Sequence, residues 1–580
     1  MSVVSNEWRN AARGGKRFRF NSEKLILALM VLLIGLLSVA PLLRLVWTAI
    51  APQGVPDLAR LTRLIASDRV LIASGNTLLI ALSSTLISVL LGTAAAWLVA
   101  LSDLRAKTAW VFAFILPLMI PPQVTALAWL QALAPSSPLA LLFGSLGLPW
   151  FAPGEQPLYS LSGIVLLLGT HNAPLVFLTV RAGLRRLPAD LVEAAQISGA
   201  SRMRVLFTII LPLARPAIFA GAALTFVAAA GNFGIQAMLG IPARVPTLIT
   251  LVYQQLNSIG PSALPNTAVY ALLIAVITLA GMAASAWLGG RHDVRVNGAP
   301  RLWQQSLGRG RVAIEGAAWL WMALTLLLPV SALLITALTS GFGQALTWQT
   351  LTLENFRSAL WGYPAVRHAF MTSLGLTSLA AIILTSTALF LAYFLSWRRT
   401  KLVRGLLLAS ELTYALPGIV TGVAAMLFFL RPLPIVNVSL YGTVWIILAA
   451  YLANFLALVL RPTLAGFAQL EPALDEAARL CGASFMRRMR DILLPLAAPS
   501  ALAGTVLVFL TALNEIQVSV LLVTSQTQTI GPTIVFLDEG GSASLAAAVG
   551  CLMILVVCLL MGLATRLARR LPQGVLPWQA

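Results

Sequence analysis

The stretch Pro188–Pro216, PADLVEAAQISGASRMRVLFTIILPLARP, returns late in the chain as Glu471–Pro499, EPALDEAARLCGASFMRRMRDILLPLAAP. Glu193 and Glu476, Gly199 and Gly482, Pro212 and Pro495, and Pro216 and Pro499 all share one offset of 283 residues. In the first copy Asp190 can cap a short helix, with Glu193 three positions on, close to a capping box. Gly199 is a good C-terminal stop, and Ser201 can cap a second helix that Pro212 interrupts at a kink or boundary. The second copy repeats this grammar: Asp475 and Glu476 start, Gly482 breaks, Ser484 restarts and Pro495 ends. The pattern predicts helix, sharp turn, helix, twice.

Around these stretches the chain is mostly oil. Of 580 residues, 59% are hydrophobic and only 10% charged, where a soluble protein of this length carries about a quarter charged residues. Apolar runs long enough to cross a bilayer core recur throughout. The short alternating segments of a transmembrane barrel are missing. The expectation is an all-α polytopic membrane protein with twelve spans: roughly 25–50, 71–101, 108–134, 160–182, 216–240, 266–289, 313–338, 369–396, 403–430, 438–461, 500–523 and 544–567.

A net charge of +20 could suggest nucleic acid. Its basic residues, however, cluster beside apolar runs, the pattern that orients membrane helices. The basic stretch before the first span, RNAARGGKRFRFNSEK, reads as a topology anchor. With the N-terminus cytoplasmic, most of the Lys and Arg residues fall inside, both quoted stretches included. Cys481, Cys551 and Cys558 show no metal-type spacing. The two later ones, in one apolar run, read as buried small hydrophobes.

Earlier in each half, PPQVTALAW from Pro121 aligns with PGIVTGVAA from Pro417. Each half has six spans, an even number, so the repeats are parallel and related by an axis along the membrane normal. The expected organisation is a basic tail (1–24), a first half (25–290, loop 188–216), a linker (291–312), a second half (313–570, loop 472–499) and a C-terminal tail (571–580).

Both copies resemble the EAA loop of ABC importer permeases: EAA, three residues, then glycine, with a leucine-proline pair downstream. Glu193-Ala194-Ala195 with Gly199, and Glu476-Ala477-Ala478 with Gly482, fit that pattern, as do Leu211-Pro212 and Leu494-Pro495. The resemblance covers nearly the whole chain as two fused permease halves. It implies a type I importer fold in a bacterial inner membrane, with both termini cytoplasmic. It implies that each loop seats on one of two copies of an ABC ATPase subunit, and that a periplasmic or lipid-anchored solute-binding protein delivers cargo outside. No G-x-x-x-x-G-K-[ST] motif occurs here, so ATP and magnesium belong to the partner, and no enzymatic activity or cofactor is expected of this chain. An ion-coupled secondary transporter would share the parallel halves but leaves the twin loops unexplained.

Ionisable and amide groups inside spans mark pathway candidates: Asn514 and Glu515 in LNEIQVS, Asn232 at the place of Glu515 in the first half, and Glu411 before the Pro417 break. His171, Asn172 and Asn454 are weaker candidates, and no metal site is assigned. The segments 229–254 and 514–540 resemble fused permeases for ferric iron, whose relatives handle 2-aminoethylphosphonate, polyamines, thiamine and phosphorylated sugars. Iron permeases of this kind often carry an arginine-glutamate pair where this chain has Asn514-Glu515. Ferric iron is the first cargo expected.

Overall fold

The computed structural model describes residues 22–135, 137, 156–185, 189–290, 306–341, 347–398, 400–432 and 437–568. Most of the expected N-terminal tail, linker and C-terminal tail therefore lie outside the described residues.

The first half comprises α1 (Ser22–Ile50), α2 (Asp68–Leu101), α3 (Lys107–Met119), α4 (Pro122–Ala132), α5 (Leu161–Leu184), α6 (Ala189–Ile197), α7 (Met203–Ala230), α8 (Phe233–Gly240), α9 (Leu248–Leu256) and α10 (Ala263–Gly289). The second half repeats the order as α11 (Gly308–Ala337), α12 (Pro364–Arg398), α13 (Lys401–Ala415), α14 (Gly418–Phe429), α15 (Val444–Phe467), α16 (Pro472–Leu480), α17 (Phe485–Leu513), α18 (Ser519–Leu522), α19 (Ile530–Glu539) and α20 (Ala543–Arg566). Among the described residues, ten helices are long and apolar enough to span a bilayer, and twelve spans result if each bent pair counts as one. The chain is an all-α polytopic protein built from two copies of one unit.

Two expected spans are bent rather than straight, and proline explains both bends. The stretch 108–134 bends by 100° between α3 and α4, and 403–430 by 112° between α13 and α14. Ile120 and Leu416, each preceding a proline, are held extended, with ψ of 132° and 140°, as crowding from the following ring requires. The expected spans 216–240 and 500–523 also break, at Asn232 and Asn514. Their long helices instead begin earlier, at Met203 and Phe485, on the face that carries the twin loops.

Pro212 and Pro495 do not end their helices, which run on through both prolines. A π turn at Leu206–Ile210 directly precedes the first, and one at Met489–Leu493 the second. Further π turns stand in the same relation to Pro41 and Pro329. Widening the ladder by one residue accommodates the missing N–H and the ring, so the helix continues.

The first helix of each half crosses to the other half. α1 packs on α14 and α15, and α11 packs on α4. Charges secure both crossings on the loop side: Arg398 pairs with Glu23 at 2.5 Å, and Arg311 pairs with Asp103. The Leu307 N–H also donates to Asp103 (2.9 Å), and the Arg105 N–H donates to Glu315 (2.9 Å). That Leu307 hydrogen bond, with Arg311 beside it, holds the Asp103 carboxyl below its ordinary range. α5 and α15 are the most enclosed spans, 72% and 78% buried in their central windows. His171 and Asn172 on the first and Asn454 on the second are accordingly enclosed by protein.

Candidate functional site: twin loops and a central seam

Both loops end their first helix in the same way. In the first, Ala200 N–H donates to Ala195 O (2.9 Å) and Gly199 N–H to Gln196 O (2.9 Å). In the second, Ala483 donates to Ala478 (3.0 Å) and Gly482 to Arg479 (2.9 Å). This is a Schellman closure, which needs a left-handed residue. Gly199 (φ +83°) and Gly482 (φ +76°) supply it. Ser201 and Ser484 then accept from the N–H groups of Arg204 and Arg487 as caps.

The exposure pattern is duplicated too. Glu193 and Glu476, Ala194 and Ala477, and Gly199 and Gly482 are exposed, while Ala195 and Ala478 are half-buried. Beside them stand Leu191, Ile197 and Met203 in the first loop and Leu474, Leu480 and Met486 in the second, all exposed; Ile197 and Leu480 reach 88% and 90%. A large apolar side chain so exposed on a polar loop, repeated in place, marks a contact surface. The sequence reading missed these residues, although an apolar residue two positions before each glycine was their signal.

Beneath this surface the copies diverge. Asp475 does not start its helix: Pro472 does, and Asp475 is buried at 5% exposure. It pairs with buried Arg488 and, at 2.8 Å, with Arg479, which also donates to the Tyr393 hydroxyl (2.8 Å). At the matching places the first copy has Val192 and Val205, also buried. One loop is closed by an ion pair and the other by apolar side chains.

The pathway candidates take definite roles. Asn232 caps α8, its Oδ1 accepting from Ile235 N–H at 2.9 Å. Glu515, at the same place in the second repeat, accepts from Val518 N–H and from Ser519 N–H (3.1 Å) at the start of α18. Both residues thus satisfy orphan N–H groups where a helix restarts inside the bundle. Asn514 reaches across the halves, its Nδ2 donating to Met119 O at 2.6 Å beside the α3–α4 bend. At the matching position, Gly231 lies against Pro417, where an added Cβ would come within 2.7 Å of the ring. Each half's break thus rests on the other half's bend. Glu411 is not deeply buried, its side chain being 31% exposed, and its carboxylate is committed to Arg461 on α15. Arg461 also lies over the Tyr414 ring. His171, Asn172 and Asn454 are buried on α5 and α15. Among the described residues, no three His, Cys, Asp or Glu side chains gather closely enough to hold a metal ion.

Comparison with known proteins fits this duplicated geometry. The family of binding-protein-dependent transport system inner membrane components matches twice, at residues 88–297 and 385–573. The chain belongs to this family. Its two matched segments carry the two loops, so it is a fused two-half ABC permease. It is 28% identical over 481 residues to a probable ABC transporter permease of Sinorhizobium fredii, covering 81% of each chain. It is 27% identical over 458 residues to a ferric transport system permease of Actinobacillus pleuropneumoniae, covering 76% of this chain and 63% of that one. A molybdenum transport system permease of Haemophilus influenzae is 32% identical over 239 residues, covering 41% of this chain and 96% of the relative.

Proposed function

We propose that this permease converts ATP-driven closure of two ATPase subunits into alternating access for a solute delivered by a binding protein on the opposite face. One observation carries the reading: the same exposed apolar triplet flanks the same left-handed glycine on both loops. A pair of matching surfaces on one face suits a pair of identical motor subunits, each gripping one short helix. Closing those subunits draws the loops together, and each long helix, α7 or α17, carries that motion directly into the break at Asn232 or Asn514. The halves then part and rejoin along the seam. The loop face is cytoplasmic in this scheme, as are both termini, in a bacterial inner membrane.

Ferric iron is the first cargo, supported by the ferric permease relatives. A molybdate-type oxyanion is the second. It is favoured by the absence of a metal-holding carboxylate group among the described residues and by the engagement of Glu515 and Glu411 with protein partners. Reconstitution with the partner ATPase and binding protein tests the function. Uptake should require ATP hydrolysis; uptake that continues on an ion gradient with an inactivated ATPase would indicate a secondary carrier. Mass spectrometry of the solute held by the purified binding protein decides the cargo.

A further inference from the structure

Gln123 is the second residue of α4, just past the Pro121 bend, and is 1% exposed. Neither its Oε1 nor its Nε2 has a hydrogen-bond partner. Among the described residues it is the one side-chain amide whose oxygen and nitrogen are both enclosed and both unpaired. Its backbone closes on Gly234 of its own half, where an added Cβ would meet Gln123 N at 2.8 Å. Its side chain extends to the other half: a Cβ added at Gly531 would lie 3.4 Å from Gln123 Nε2, 2.8 Å from Glu515 O and 3.2 Å from Ile516 Cβ. The amide therefore ends at the boundary where the α3–α4 bend meets the α17–α18 break. Asn514, on that same break, likewise keeps an unpartnered buried Oδ1.

Packing does not require an amide at this place. The matching residue of the second repeat is Ile419, fully buried after the Pro417 bend. A polar group buried without partners carries its full desolvation penalty, so such groups are rare in folded proteins. The charged alternatives along the seam are already engaged, Glu515 by backbone N–H groups and Glu411 by Arg461. The boundary thus keeps in reserve neutral hydrogen-bonding capacity, both donor and acceptor.

We propose that Gln123 is a cargo-contacting residue of the seam, hydrogen-bonding to oxygen atoms of an oxyanion or of the chelating ligands around a metal ion. This rests on the importer reading given above and deepens it, since it names the chemistry presented to the cargo. As the halves part, the amide exchanges an unpaired state for a paired one, so cargo entry and seam opening favour each other.

The test uses the full chain with its ATPase and binding protein in proteoliposomes, with the binding protein charged with ferric citrate in one arm and molybdate in the other. Gln123→Ile borrows the side chain already accepted at the matching position, and Gln123→Asn keeps the amide. In the arm that the parent transports, Gln123→Ile should lower the maximal uptake rate about tenfold, the loss expected for one hydrogen bond made during passage, and Gln123→Asn should recover most of it. That arm also separates oxyanion from chelated metal. Parental uptake by Gln123→Ile overturns the proposal, as does an equal loss in both variants, which would mark a packing role. A parent that moves neither probe overturns the assignment of this contact to chelated ferric iron or a molybdate-type oxyanion. Absence of ATP-dependence in a parent that does transport would instead sink the importer reading.

Discussion

Replacing Asp475 by valine should damage the second loop more than replacing Arg488, and replacing both should repair it. Asp475 and Arg488 have side chains 6% and 5% exposed. In Asp475→Val the guanidinium loses its carboxylate and keeps only the Phe485 ring, 5.7 Å away. A buried charge stripped of its partner costs about 3–5 kcal/mol. In Arg488→Val the carboxylate keeps Arg479, which is 38% exposed and 2.8 Å distant. The loss then falls toward the 1–3 kcal/mol or so of an impaired buried hydrogen bond. The double variant copies Val192 and Val205, the arrangement that the first repeat already uses. Apolar replacement of a whole buried pair is neutral, or stabilising by roughly 1–4 kcal/mol. Thermal unfolding of detergent-solubilised protein, followed by size-exclusion chromatography, should give the order double variant at or above parent, then Arg488→Val, then Asp475→Val. A double variant as impaired as the sum of the singles would refute the argument, because it would show that the two sites do not act as a pair.

Other outcomes follow from the same geometry. Gly482→Ala should cost about 1 kcal/mol through its left-handed backbone. Open space surrounds that position, so if a larger residue there lowers ATPase copurification further, the partner fills the space. Glu515→Asn, which copies Asn232, should keep the α18 cap and transport, whereas Glu515→Ala should lose about 1 kcal/mol of capping and slow uptake. Failure of Glu515→Asn alone would show that the charge itself is required. Exchanging Leu191, Ile197, Leu474 and Leu480 for serine should leave the fold intact and abolish ATPase copurification in pull-downs. The Asp103–Arg311 contact should persist through neutral and mildly acidic pH. Its carboxyl is held below the ordinary range, so its contribution is present above the unfolded value and lost only as pH falls through the lower, folded one. Amide exchange near Leu307 measures this.

Periodic and local signals in the sequence carry much of this fold. Apolar length marks the spans, a fixed offset marks the repeat, and glycine after EAA marks the left-handed turn, because each depends on residues within one helical turn or on simple duplication. The breaks at Asn232 and Asn514 are hidden, since hydropathy does not distinguish a straight apolar helix from one that restarts. For the same reason hydropathy does not show that Asn232 and Glu515 cap the helices that restart there. Arg461 and Asp103 escape notice because their partners lie 50 and 208 residues away, and an ion pair leaves no periodic trace. Gln123 is hidden most thoroughly: only three-dimensional packing reveals an amide without a partner.

The crossings of α1 and α11 show how a fused chain keeps its halves from closing on themselves. Each first helix packs on both halves, α1 on α10 of its own and α14 of the other, α11 on α20 of its own and α4 of the other. The securing charges are opposite in order: an acid on α1 meets a base at Arg398, and a base on α11 meets an acid at Asp103. The uncrossed arrangement would set Glu23 toward Asp103 and Arg311 toward Arg398, like against like. Each partly exposed pair is weak by itself, because solvent screens it. The choice between dockings, however, depends on the difference between attraction and repulsion at two sites together. Apolar burial supplies the strength of the crossing, and the reversed charges select which crossing forms. Each half is then held by a helix covalently joined to the other, so a pull on either loop is felt on both sides of the seam.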